Sequence, residues 1–129
     1  MTHRFACRVY YEDTDLAGIV YYANYLRFIE RARSEMIEGL GLDQAALKQD
    51  GGLVFAVRRL EADYLVPARF GDRLIVASRI LGASGARLKM EQDVLRGEET
   101  LFRALVTLAC LREDGRPARL PAALHAHVT

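Results

Sequence analysis

The sequence predicts an α+β domain in which one long helix is wrapped by a five-stranded antiparallel sheet. Three observations carry this: a single long segment of helical period, four later runs of strand composition separated by short joints, and one aromatic strand ahead of the helix. At 129 residues the chain has the length of one domain, read as spanning 1–129.

The elements follow in order. Phe5 to Tyr11 (FACRVYY) reads as a strand and runs into an acidic turn. From Tyr21 or Tyr22 the apolar residues Tyr22, Tyr25, Leu26, Ile29, Ala32, Met36, Ile37 and Leu40 recur at helical spacing. Arg27, Arg31, Ser34, Glu35 and Glu38 fill the opposite face, and Gly39 and Gly41 supply the stop. Leu42 to Gln49 predicts a short second helix with Asp43 as its cap, broken by Asp50-Gly51-Gly52. Strands are predicted at Leu53–Val66, Asp72–Leu81, Ala86–Leu95 and Glu99–Arg112, with joints short enough to make neighbours antiparallel. The third of these alternates polar and apolar residues, so one face should be wet. The last is nearly continuously apolar, which predicts a central strand covered on both faces. One helix cannot cover both faces of such a sheet, so a partner subunit is expected against it. After Asp114-Gly115 the chain reads as a loose tail.

Composition excludes several classes. Basic and acidic residues number 18 and 17, which gives no polyanion-binding character and argues against nucleic acid as a partner. No apolar run reaches signal-peptide or membrane-spanning length, so a cytoplasmic protein without membrane insertion is expected. Cys7 and Cys110 lie far apart inside strand-like runs and read as core thiols. His3, His125 and His127 have no carboxylate or Cys at ligand spacing, and no metal site is expected. Ser34, Ser78 and Ser84 lack a nucleophile elbow.

Chemistry concentrates between Glu12 and Met36, in EDTDLAGIVYYANYLRFIERARSEM. Asp13 and Asp15 precede a short apolar turn and then a helix start. An acid beside a helix N-terminus can serve acyl transfer, because the acid attacks or activates water while backbone N–H groups polarise a carbonyl. The same pattern also serves plain capping, which is the structural role assigned to Asp13.

The D-T-D-x-x-G-x-V-Y-Y-x-N-Y pattern resembles the 4-hydroxybenzoyl-CoA thioesterase family, including its Tol-Pal-associated, YbgC-type branch. VRRLEADYLVPARFGDRL, Val57 to Leu74, is similar to a strand, proline turn and strand of that branch. The resemblance extends to about Arg112 and implies the hotdog fold, acyl-CoA thioester hydrolysis without metal or organic cofactor, and a homodimer or homotetramer with its site at the dimer interface. It matches Asp15 to the catalytic aspartate, as nucleophile or as general base. It matches Gly18 to a glycine permitting close approach to the thioester, and Tyr22 to the residue whose backbone N–H points at the thioester carbonyl. Many Tol-Pal-type members carry His at this position, and the hydroxybenzoyl branch carries an aromatic residue, as here. The role is a backbone one, so the Tyr22 ring is assigned to the pocket wall, with Tyr21 beside it as a lining residue.

Asn24 is a candidate for ordering the loop beside the substrate. Arg58, Arg59, Arg87 and Lys89 are candidate contacts for the CoA phosphates across a subunit edge, since neither a P-loop nor G-x-G-x-x-G is present. Some related hotdog enzymes place a catalytic Glu on the helix. Glu30, however, lies about 12 Å along the axis from Tyr22, too far to share one carbonyl, and is expected to pair with Arg33 or Arg27. A hydratase would need a positioned His, and none occurs between His3 and His125. The rival outside enzymes is a binding module for acyl-CoA or acyl-carrier protein, which would keep the same pocket.

Overall fold

The computed structural model describes residues 2–128. β1 spans His3–Arg8 and a 3-10 turn spans Tyr11–Asp13. α1 (Asn24–Gly39) and α2 (Gln44–Gly51) follow, then β2 (Val54–Tyr64), β3 (Arg73–Ser84), β4 (Arg87–Arg96), β5 (Glu99–Leu111) and a C-terminal 3-10 segment, Ala122–His127. The strands form one antiparallel sheet in the order β1-β3-β4-β5-β2. No described helix is long and apolar enough to cross a membrane.

The helix lies on one face of the sheet for the reason its spacing gave: Tyr25, Ile29, Ala32, Met36 and Ile37 are buried, and Arg27, Arg31, Glu35 and Glu38 are exposed. Phe28 joins the buried stripe. The inward residues of the sheet are Leu74, Val76 and Ile80 on β3, Leu88, Met90 and Val94 on β4, and Phe102, Ala104, Val106 and Leu108 on β5. Asp43 caps α2 as expected, accepting from the Ala46 N–H at 3.1 Å.

Several expectations are corrected. α1 begins at Asn24 rather than at Tyr21 or Tyr22, because tertiary hydrogen bonds tie Val20 and Tyr21 to other segments and Tyr22 and Ala23 form a turn ahead of the helix. The Val20 N–H donates to the Ala68 carbonyl and the Tyr21 N–H to the Asp13 carbonyl. The first strand ends at Arg8, three residues before Tyr11, since the Tyr10 N–H is taken by the Asp13 side chain and the chain turns. β5 is second from an edge rather than central, and its outer residues Arg103 and Leu105 are exposed. Its continuous apolar pattern arises because Leu105, Ala109 and Leu111 on the outer face alternate with the buried Ala104, Val106, Leu108 and Cys110. The tail is not loose: the Ala118 and Leu120 N–H groups donate to Cys110 and Gly85 carbonyls, and Leu124 is fully buried. Cys110 is buried, but Cys7 is only partly so; desolvation nonetheless pushes the Cys7 thiol up to about 11.

Arg33 departs most from its expected role. It sits on the sheet-facing side of α1, where its Nη1 donates to Gln92 Oε1 at 2.9 Å, while Glu30 accepts from the Ser34 hydroxyl instead. Gln92 Nε2 in turn donates to the Ile29 carbonyl and to Ser78 Oγ, so one fully buried amide ties helix to sheet. Burial lowers the Arg33 pKa, partly opposed by the charge of Glu30. A guanidinium in this setting depends on neutral acceptors, and removing one leaves a buried donor unpaired. Gln92→Ala is therefore expected to lower unfolding free energy by about 2–3 kcal/mol in denaturant titration, and Arg33→Met combined with Gln92→Leu to recover most of that loss.

Candidate active site

The segment after the 3-10 turn is a miniature hairpin. Thr14 and Val20 bridge antiparallel, the Asp15 N–H donates to the Ile19 carbonyl at 2.9 Å, and the Gly18 N–H donates to the Asp15 carbonyl at 3.0 Å. Leu16, Ala17 and Gly18 form the loop, and Gly18 closes it at φ +78°, the left-handed conformation that a three-residue hairpin requires. Gly18 is thus explained by its backbone, and a Cβ there would meet open space. The hairpin presents Asp15 at the surface. Its Oδ1 accepts from the Ala17 N–H at 2.9 Å, which holds the carboxylate, and Oδ2 has no partner among the described residues.

Asp13 performs the structural work. Its carboxylate is buried, with Oδ2 accepting from the Tyr10 N–H and Oδ1 from the Asn24 side-chain amide, while its carbonyl accepts from the Tyr21 N–H. One residue thereby joins the end of β1, the entry to the hairpin and the start of α1. Asn24 is committed to this contact and does not line the cleft beside it.

That cleft, of about 270 Å³, is lined by Asp15, Ile19, Val20, Tyr21, Tyr22, Tyr25, Tyr64, Val66 and Pro67. Its walls are largely aromatic. Tyr22 and Tyr25 both meet Tyr64 edge to face, and Tyr25 stacks on Phe102 with centroids 4.9 Å apart. The Tyr25 hydroxyl accepts from the Ala68 N–H, and the Tyr64 hydroxyl donates to the Tyr22 carbonyl, both at 2.9 Å. Desolvation, with Tyr22 and Tyr25 adding to it, raises the Tyr64 pKa.

The two peptide groups before α1 share a pattern. The Tyr21 carbonyl accepts from the Asn24 N–H at 2.8 Å and the Tyr22 carbonyl from Tyr64, whereas the Tyr22 and Ala23 N–H groups have no acceptor among the described residues. The helix lacks a side-chain cap at Ala23.

The structure brings Asp15, Tyr21 and Tyr22 to one cleft and leaves Gly18 and Asn24 as its supports. Arg58, Arg59, Arg87 and Lys89 also come together, in a separate open trough of about 800 Å³ on the outer sheet face, with Ser84 and Thr107. Cross-strand pairing explains it: Arg59 and Lys89 both flank Thr107, and Ser84 opposes Arg87. Sequence reasoning missed Tyr25, Tyr64, Val66 and Pro67 as site residues. The proline turn after β2 was the available signal, because it folds the strand end back over the helix start.

The model of the thioesterase-like superfamily matches residues 9–128 of the chain. The acyl-CoA thioesterase YbgC of Haemophilus influenzae is 39% identical over 126 residues, covering 94% of this chain and 93% of that protein. The acyl-CoA thioester hydrolase YbgC of Escherichia coli is 39% identical over 84% of this chain and 81% of its own length. Among solved structures, a probable thioesterase from Bartonella henselae superposes with a TM-score of 0.90 at 42% identity, covering 94% of this chain and all (100%) of that one. A 1,4-dihydroxy-2-naphthoyl-CoA thioesterase from Synechocystis gives 0.87 at 27% identity over 95% and 92%. These hotdog-fold neighbours agree with the architecture above.

Removing the Asp13 side chain would strand the Asn24 amide and the Tyr10 N–H. Asp13→Ala is expected to cost about 2–4 kcal/mol of stability, measured by thermal or chemical unfolding, with a further loss of activity below the unfolding midpoint.

Proposed function

This chain belongs to the thioesterase-like superfamily, and from that premise we propose that it hydrolyses acyl-CoA thioesters to a free acid and CoA. The observation carrying this reading is the pairing, in one apolar cleft, of a carboxylate and a backbone N–H that leave one oxygen and one donor without partners among the described residues. Asp15 Oδ2 is the attacking or proton-accepting atom, and the Tyr22 N–H faces the developing oxyanion.

A thioester needs little more. Its leaving group is a thiolate whose conjugate acid has a pKa near that of Cys, about 8.5, so the C–S bond breaks without strong acid assistance. Asp15 either adds to the carbonyl carbon, giving an anhydride that water opens, or takes a proton from the water that adds. In both routes the carbonyl oxygen gains charge next to the Tyr22 N–H, at the positive end of α1. The cleft volume and its tyrosine walls suit a short aliphatic or a single-ring aromatic acyl group.

A homodimer completes this site. Among the described residues β2 pairs with β5 alone, so its other edge is open, and beside that edge Val57, Leu60 and Leu65 are exposed. An 11-residue open edge carrying apolar side chains suits a second copy of the chain, which would wall the cleft. In such a dimer, or a tetramer built from it, the four-cation trough receives the phosphates of CoA. Its Arg58 and Arg59 lie on β2 itself.

The test is release of CoA thiol from a panel of aliphatic and aromatic acyl-CoAs. Asp15→Asn is expected to lower kcat by about a hundredfold or more with binding and folding retained. Binding of acyl-CoA by the parent chain without turnover on any member would instead establish a binding module for acyl-CoA or acyl-carrier protein. The paired change Arg87→Ala and Lys89→Ala should raise KM for acyl-CoA severalfold while leaving KM for the same acyl group on phosphate-free pantetheine unchanged; equal effects on both would remove the phosphates from the trough.

A further inference from the structure

We propose that Tyr64 is a positioning residue for the oxyanion site, its hydroxyl holding the Tyr22–Ala23 peptide so that the Ala23 N–H acts as a second donor beside that of Tyr22. The proposal rests on the hydrolytic reading above and adds to it a residue at the far end of β2, 42 positions from Tyr22.

Peptide planarity couples the two groups. The carbonyl of residue 22 and the N–H of residue 23 belong to one planar group, so fixing the carbonyl fixes the N–H. The Tyr64 hydroxyl donates to that carbonyl at 2.9 Å, and the Ala23 N–H, at the other end of the same group, has no acceptor among the described residues. The adjacent peptide repeats the arrangement, with the Tyr21 carbonyl engaged by the Asn24 N–H and the Tyr22 N–H unpaired. A hydrogen bond received at the carbonyl polarises the amide and strengthens its N–H as a donor. Two consecutive amides with anchored carbonyls and free N–H groups form the kind of preorganised pair that stabilises an oxyanion without reorganising during the reaction.

Tyr64 could act in two other ways. As a direct donor to the substrate it would need its proton free, but that proton is spent on the Tyr22 carbonyl. As a plain wall it would need only its ring, which packs edge to face on Tyr22, Tyr25 and Phe102. The hydroxyl then separates the roles, because Tyr64→Phe removes it and keeps the ring.

The experiment measures kcat and KM of the parent and Tyr64→Phe, together with the carbonyl stretching frequency of a carbon-13-labelled acyl-CoA bound to Asp15→Asn with and without Tyr64→Phe. Expected are a fall in kcat of about tenfold with KM within about twofold, smaller than the loss seen when a direct donor is removed. The bound carbonyl should also lose part of its shift to lower frequency. Replacement of Tyr64 by 3-fluorotyrosine keeps the donor and lowers its pKa, so kcat should hold near neutrality and fall at alkaline pH as the phenolate forms. Unchanged kcat in Tyr64→Phe, a change confined to KM, an unshifted carbonyl band or a flat alkaline profile for the fluorinated protein would each overturn the positioning role. Retained hydrolysis in Asp15→Asn would overturn the Asp15 reading instead, and the kcat of Tyr64→Phe would still decide this one.

Discussion

The contact on which the site depends is the buried Asp13 carboxylate, which accepts from the Tyr10 N–H and the Asn24 amide while its carbonyl receives the Tyr21 N–H. Three parts of the chain with little reason to stay together are joined there, and each has a donor that would otherwise be left without a partner. The hairpin carrying Asp15 leaves and returns within this tie. Its tip can be exposed because its ends are fixed. Asp15 and Asp13 therefore divide one motif, the first left with a free oxygen and the second with both engaged.

From that tie the rest of the site follows by registration. α1 is held under the sheet by its apolar stripe and by the Arg33–Gln92–Ser78 network, which sets its height relative to β3 and β4. β2 reaches over the helix start, and Pro67 turns it so that Ala68 meets both the Val20 N–H and the Tyr25 hydroxyl. The cleft is the space these elements leave, and its polar atoms belong to the backbone or to Asp15 and the tyrosines. The sheet's outer face has another character, laced by Arg79–Glu91 and Arg103–Asp93 ion pairs. Toward the Arg58 end Arg59 pairs with Glu61, while Arg58, Arg87 and Lys89 have no carboxylate partner among the described residues.

Much of this was legible in the residues. The period of α1 placed its buried side correctly at Ile29, Ala32, Met36 and Ile37, and the glycine joints made β3, β4 and β5 antiparallel neighbours. The Pro67 joint did not do the same for β2 and β3, because the chain crosses over the helix start there and β2 pairs with β5 instead. Periodicity misplaced the helix start, because Tyr22 fits the apolar spacing but is held outside the helix by contacts that no local pattern encodes. It also hid Arg33, since a charged residue at an inward position is recognisable only once Gln92 and Ser78 are seen opposite. Gln92 itself occupied an apolar slot in the β4 alternation, and its partners lie 63 and 14 positions away. For the site, the motif pointed to Asp15 and Tyr22. Tyr64 was out of reach because it meets Tyr22 only through the order of strands in the sheet.

The uncapped start of α1 acquires a meaning from this arrangement. Ala23 offers no side-chain acceptor, and the first turn contains no acidic residue, although a Ser, Asp or Asn cap is commonly worth about 1 kcal/mol. On the hydrolytic reading, a cap would bring its own oxygen to the pole of the helix and become a resident competitor of the substrate. Folding and chemistry then make opposite demands on one alanine, and the helix forgoes stability at the place where its unsatisfied amides are useful. A relative selected for heat resistance would have to find its gain elsewhere, in turns and surface charges, and leave this end of the helix bare.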